Sequence, residues 1–171
     1  MSQTKEPSHK ILHSLPPFEI REYENVCIAE VTTYGPREVA ITEGFKILAD
    51  YIFGNNAKNE VIPMTKPVIQ QEMGFEKWKI GFFMLHLGQK HQLPEVKNSR
   101  IEFRQLPSKR YVSIRFSGTP EEKNLRQNLE KLNAYVETNG LKTEGGPLYA
   151  FYNPPWTLPF MRRNEILMAL I

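Results

Sequence analysis

The places where this sequence can do chemistry are four histidines, one cysteine and two proline-stiffened segments. His9 and His13 stand near the start, and His86 and His91 flank the polar stretch HLGQKHQLPEVKNS. A metal site made by one chain draws on His, Cys, Asp or Glu at short spacing, as in HExxH or paired CxxC. Neither pattern occurs, so no metal site is expected. Cys27 lies in an alternating apolar run with no base beside it to form a thiolate, and reads as a buried thiol. A single cysteine also excludes an internal disulfide. GxGxxG, the P-loop and the GxSxG elbow are absent, which argues against nucleotide binding and serine hydrolysis. Acid/base work by two distant carboxylates stays open, because residues far apart in sequence can meet in space.

The first stiffened segment is IPMTKPV, residues 62–68. Two prolines hold it extended around Met64, Thr65 and Lys66. It reads either as a rigid crossover packing Met64 under a helix, or as a pocket wall carrying a basic residue. The second is YNPPWTLPFMRRNEI, residues 152–166, with three prolines, Trp156, Phe160, Met161 and the pair Arg162-Arg163. Such a loop can clamp a flat apolar ligand with acidic substituents. Its plainer reading is a lid over the core whose arginines face water or pair with nearby acids.

These segments need a scaffold. At 171 residues, with 40% hydrophobic and 24% charged, the chain suits one globular domain with a sizeable core. Phe18 and Ile20 begin an extended stretch, and NVCIAEV continues as a strand. A helix follows, with Pro36 at its first position and an apolar stripe of Ile41, Phe45, Leu48 and Ile52. Gly44 inside it costs about 1 kcal/mol against alanine, which points to close packing or a ligand. Gly54-Asn55-Asn56 supplies the stop. The second half repeats this order. Val112, Ile114 and Phe116 alternate as a strand. Thr119-Pro120-Glu121-Glu122 reads as a capping box, and Leu125, Leu129, Leu132 and Val136 form the stripe. A shift of about 84 residues lays Pro36 on Pro120, Glu38 on Glu122, Phe45 on Leu129 and Tyr51 on Tyr135. The expected fold class is α+β, with duplicated βαβ-type units. The expected organisation is a flexible segment over residues 1–15 and a single domain over 16–171 with an internal two-fold repeat. VIQQEM and WKIGFFM pair as a hairpin about Gly74, and ILMALI closes the chain as a well-covered strand.

The formal net charge of +3 and the lack of a basic run give no reason to expect nucleic acid. No stretch is apolar enough for a membrane span, and the start lacks a signal-peptide core, so a cytoplasmic setting is expected.

Several ordered motifs together carry a resemblance: FEIREY, GFKILADYIFG, IPMTKPV, FFM followed by LPEVKN, IRFSG and YNPPWTLPFMRRNEI. From Phe18 to Ile171 the chain resembles the SOUL haem-binding protein family. The resemblance implies two helices packed on a distorted, barrel-like antiparallel sheet, similar to effector-binding domains of some bacterial transcription regulators. It implies binding of haem or a related tetrapyrrole, without redox turnover, against the first helix and the C-terminal loop. Some members are assigned an axial histidine in or near that helix. This chain has none from Pro36 to Asn56, so that ligand is absent and His86 or His91 would have to serve.

The expected activity is therefore binding of haem or another planar hydrophobic ligand in a pocket between the first helix and the C-terminal loop, without catalysis. Phe45, Lys46, Ala49 and Met64 are the candidates on one side. Trp156, Leu158 and Met161 are the candidates on the other, with Arg162 meeting a carboxylate. Three other readings stay open: a small-molecule effector or carrier domain, a small hydrolase using Tyr or Glu, and a protein-interaction module.

Overall fold

The structure is a computed structural model that describes residues 4–85 and 93–171. Its class is α+β, with antiparallel strands and two packed helices, as the sequence leads one to expect. The chain divides into two compact units. One comprises residues 1–7 and 25–107, and the other residues 8–24 and 108–171. No helix among the described residues is long and apolar enough to cross a membrane.

The second unit opens with β1 (His9–Leu15) and β2 (Phe18–Tyr23), antiparallel neighbours. Within the segment 1–15 that the sequence leads one to expect as flexible, His9 to Leu15 pair along β2 from Tyr23 to Phe18. Strand β1 has little burial of its own, so the apolar patterning that reveals a strand is missing from it.

In the first unit β3 (Val26–Tyr34) leads into α1 (Arg37–Ile52). The hairpin β4 (Val68–Gly74) and β5 (Lys77–Phe83) follows, then β6 (Glu102–Leu106). The strand order is β4-β5-β3-β6, all antiparallel. Strand β3 is buried on both faces, which is why apolar Ile28 weakens its alternation and Glu30 is buried as well. Buried Glu30 is paired in bidentate fashion with Arg104 of β6, at 2.8 and 3.0 Å.

Helix α1 buries Ala40, Gly44, Leu48, Ala49, Tyr51 and Ile52. This corrects the expected stripe: Ile41 is half-buried and Phe45 is 41% exposed, with its ring edge-on to Phe82 at 5.4 Å. The small residues decide the facing. A Cβ on Gly44 would lie 2.6 Å from Cδ1 of Ile80, so the helix sits on β5 so closely that a side chain there would force Ile80 to move. Pro36 is the N-cap rather than the first helical residue.

The second unit continues with β7 (Lys109–Phe116), α2 (Glu122–Thr138), β8 (Thr143–Phe151) and β9 (Asn164–Leu170). Its order is β1-β2-β7-β9-β8, again antiparallel, and the ILMALI stretch runs through β9 between β7 and β8. Leu132 of α2 packs with Val112, Ile114 and Ile166, and Leu129, Tyr135 and Val136 close around them. The phenyl ring of Phe18 stacks on Tyr135 at 4.3 Å. The expected capping box does not form. The N-cap is Glu121 without a side-chain bond, and Asn124 instead donates to the carbonyls of Ser117 and Thr119. At the other end Asn139-Gly140 does stop the helix: Leu141 N–H reaches Val136 O and Gly140 adopts φ +62°.

Candidate functional site

The C-terminal loop, residues 152–163, runs from β8 to β9 and lies within the second unit. Its prolines remove N–H groups and leave carbonyls in need of donors. Short bonds meet that need: Thr157 N–H to Pro154 O, Met161 N–H to Leu158 O, and Arg162 N–H to Pro159 O, the last two in a single 3-10 turn. Gly118 N–H holds Pro159 O at 2.8 Å, and the Asn164 amide returns to Gly118 O. Arg163 N–H is taken by the Asn153 side chain.

The braced loop turns its apolar side chains outward. Trp156 is 82% exposed, Leu158 55%, Phe160 75% and Met161 63%. Arg162 lies in the same loop, but its guanidinium donates to the loop's own carbonyls, Nε to Thr157 O at 2.8 Å and Nη2 to Pro155 O at 2.5 Å.

Beneath the loop's ends is a charged cluster that sequence reasoning missed. Strand alternation puts Phe18 and Ile20 of β2 toward α2, and Glu19, Arg21 and Tyr23 on the opposite face. The same rule puts Glu165 of β9 on that face. Arg21 and Glu165 are both buried and meet in a fork, Nη1 to Oε1 at 2.7 Å and Nη2 to Oε2 at 2.6 Å. Arg21 also donates to Glu19 and to the Tyr23 hydroxyl. Glu165 further accepts from the Tyr152 hydroxyl at 2.7 Å and from Arg163 Nε at 3.2 Å. The Arg163 guanidinium covers the Tyr152 ring at 3.8 Å. The signal was present in FEIREY and RRNEI as charges inside strand-like runs, but no spacing rule pairs residues 144 apart.

Burial alone would raise the Glu165 pKa, but the hydrogen bonds and charge of Arg21, then Tyr152 and Arg163, outweigh it and hold the carboxyl below the ordinary range. Burial and then Glu165 push the Tyr152 hydroxyl well up. A carboxylate this well solvated by donors is a weak base, so the acid–tyrosine pair lacks the raised carboxyl pKa that acid/base work near neutrality calls for.

The other expected residues lie in the first unit. Phe45 and Lys46 stand on the exposed side of α1, whereas Ala49 is buried. Met64 is half-buried in a braced crossover. There Thr65 Oγ1 donates to Phe83 O, Lys66 N–H to Lys5 O, and the Lys66 ammonium pairs with Glu6. His9 and His13 lie on β1, and His86 and His91 fall outside the described residues. Among the described residues no group of three or more His, Cys, Asp or Glu is placed to hold a metal ion.

A family model described as "SOUL heme-binding protein" matches residues 4–169, nearly the whole chain. The chain belongs to the SOUL haem-binding family. It is a family of binding proteins, in line with the expectation of a binder rather than an enzyme. No curated protein sequence matches this SOUL domain. Solved structures share its fold at low identity. The EcmrR C-terminal domain is similar with a TM-score of 0.69 and 13% identity, over 90% of this chain and 96% of that one. A hydrolase encoded by lin2189 from Listeria innocua gives 0.61 and 10%, over 90% and 91%. SAV2435 bound to tetraphenylphosphonium gives 0.52 and 12%, over 90% and 93%. At these identities the likeness to the SOUL domain is one of fold.

Proposed function

We propose that this SOUL domain binds haem or another planar tetrapyrrole by covering its flat face with apolar side chains, without an iron ligand from α1. The observation that supports this reading is the braced loop, with Trp156, Leu158 and Met161 held outward in a chain of this family. Exposed apolar side chains on a rigid support are costly for a monomer and suit a ligand. Burying the roughly 150–250 Å2 of a tryptophan at about 25 cal/mol/Å2 is worth ~4–6 kcal/mol before the costs of association. Since α1 supplies no imidazole, an axial histidine would have to come from His86 or His91, and the reading rests on the porphyrin plane rather than on the iron. In the first unit the reading keeps Phe45 and Lys46 on the exposed side of α1, buried Ala49, and Met64 in the crossover as candidates. A reduced, cytoplasmic setting fits the lone buried Cys27.

Titration with haem, followed by the change in haem absorbance, tests the reading. The wild type should saturate at one ligand per chain, and Trp156→Ala should bind at least tenfold more weakly. Non-saturable absorbance changes in both would contradict it. An effector or carrier domain for another flat apolar molecule is the second reading. It is favoured by the loop's apolar face, which holds nothing specific to haem.

We also infer that the two units descend from one strand–helix–hairpin element. Support comes from the shared orders β4-β5-β3 and β8-β9-β7, with a helix after the first strand in each. The shift of about 84 residues in sequence agrees with it. A self-comparison of the family's sequences that peaks at a different offset would overturn this.

A further inference from the structure

We propose that Arg162 is a positioning residue that shapes the C-terminal loop, and that the loop meets its ligand through an uncharged apolar face. This rests on the reading of the loop as the ligand surface. Residues 153–161 read NPPWTLPFM, with three prolines that donate nothing and no charged side chain. The loop therefore has more carbonyls than donors. Arg162 corrects the imbalance by folding back across its own loop, with Nε on Thr157 O and Nη2 on Pro155 O. A planar guanidinium holds two carbonyls at fixed separation, which a single ammonium on a flexible stem cannot do.

The neighbouring arginine is turned to other work, since Arg163 pairs with Glu165 and covers Tyr152. The two positive charges that look from sequence like receivers of acidic substituents are thus engaged within the fold. What the loop offers outward is Trp156, Leu158, Phe160 and Met161. A ligand seated there is recognised by its flat apolar area, and carboxylates on its rim contribute little at this surface. Arg162 acts on affinity through the loop's shape.

The test compares protoporphyrin with its dimethyl ester, which keeps the ring and removes both charges. Wild type, Arg162→Met and Arg162→Lys are titrated with each, and hydrogen exchange of the loop amides is measured without ligand. Arg162→Met should weaken both porphyrins by the same factor, at least tenfold, and should speed exchange at Thr157, Met161 and Arg162 by a similar factor. Arg162→Lys should behave like Arg162→Met, although it keeps the charge. A loss confined to the diacid, restored by lysine, would make Arg162 a carboxylate receiver and overturn the proposal. Binding of neither porphyrin by the wild type overturns the functional reading and the uncharged face together. The exchange arm then decides the shaping role alone, and unchanged rates in Arg162→Met overturn it.

Discussion

Glu165 shows how much can rest on one side chain. It is buried, and it holds Arg21 in a fork while taking bonds from Tyr152 and Arg163. Removing one partner of such a pair strands the other charge in the interior, at a cost of ~3–5 kcal/mol. Glu165→Gln should therefore lower the denaturant midpoint strongly, and a change below about 1 kcal/mol would show the pair to be dispensable. Its native pKa is depressed below the ordinary 4.5. The stabilisation is thus full above pH 4.5 and is lost as pH falls through the lower native value. The variant should show a flatter loss of stability in acid than the wild type. Tyr51 gives the opposite dependence. Burial, followed by the negative charge of nearby acidic groups, raises its hydroxyl to about 12, and the hydroxyl donates to Pro94 O at 2.6 Å. Its contribution is full below pH 10 and is lost as pH rises through 12. Tyr51→Phe should remove that alkaline step in unfolding curves, and an unchanged step would assign it elsewhere.

At the scale of elements, the helices were legible in existence and in where they stop, but not in their first residues, and only one in its facing. In α2 the leucine stripe was the buried face, because large apolar side chains there meet β7 and β9. In α1 the same rule pointed toward Ile41 and Phe45, and the small residues Ala40 and Gly44 won instead. Close approach to β5 rewards a missing side chain, which a count of apolar positions cannot register. Gly44→Ala should accordingly destabilise by ~1–3 kcal/mol through overpacking against Ile80, although alanine is the better helix former. A stabilised variant in thermal unfolding would contradict the close contact. In α2, Leu132→Ala should cost ~2–5 kcal/mol, and Glu122→Ala within about 0.5, since no capping box depends on it. Equal losses in denaturant unfolding would mean that the helix faces the other way. Strand β1 was illegible because HKILHSL shows no alternation of burial.

At the scale of the whole molecule, the class and the family were legible, because they rest on long patterns and several ordered motifs. The chemical centre was legible only in part. The candidate loop with Trp156, Leu158 and Met161 was legible from composition, since aromatic residues among prolines stand out in any reading. The roles of Arg162 and Arg163 were not, because a sequence does not say whether a guanidinium turns outward or back onto its own loop. With Arg162 and Arg163 engaged within the fold and no imidazole on α1, the proposed reading draws affinity for a tetrapyrrole from the ring's apolar area rather than from its iron. The direct measurement is the affinity of the wild type for haem against iron-free protoporphyrin, under one buffer, by tryptophan fluorescence. The two should agree within about tenfold, or ~1.4 kcal/mol. A preference for haem above a hundredfold, abolished by His86→Ala or His91→Ala, would contradict the account.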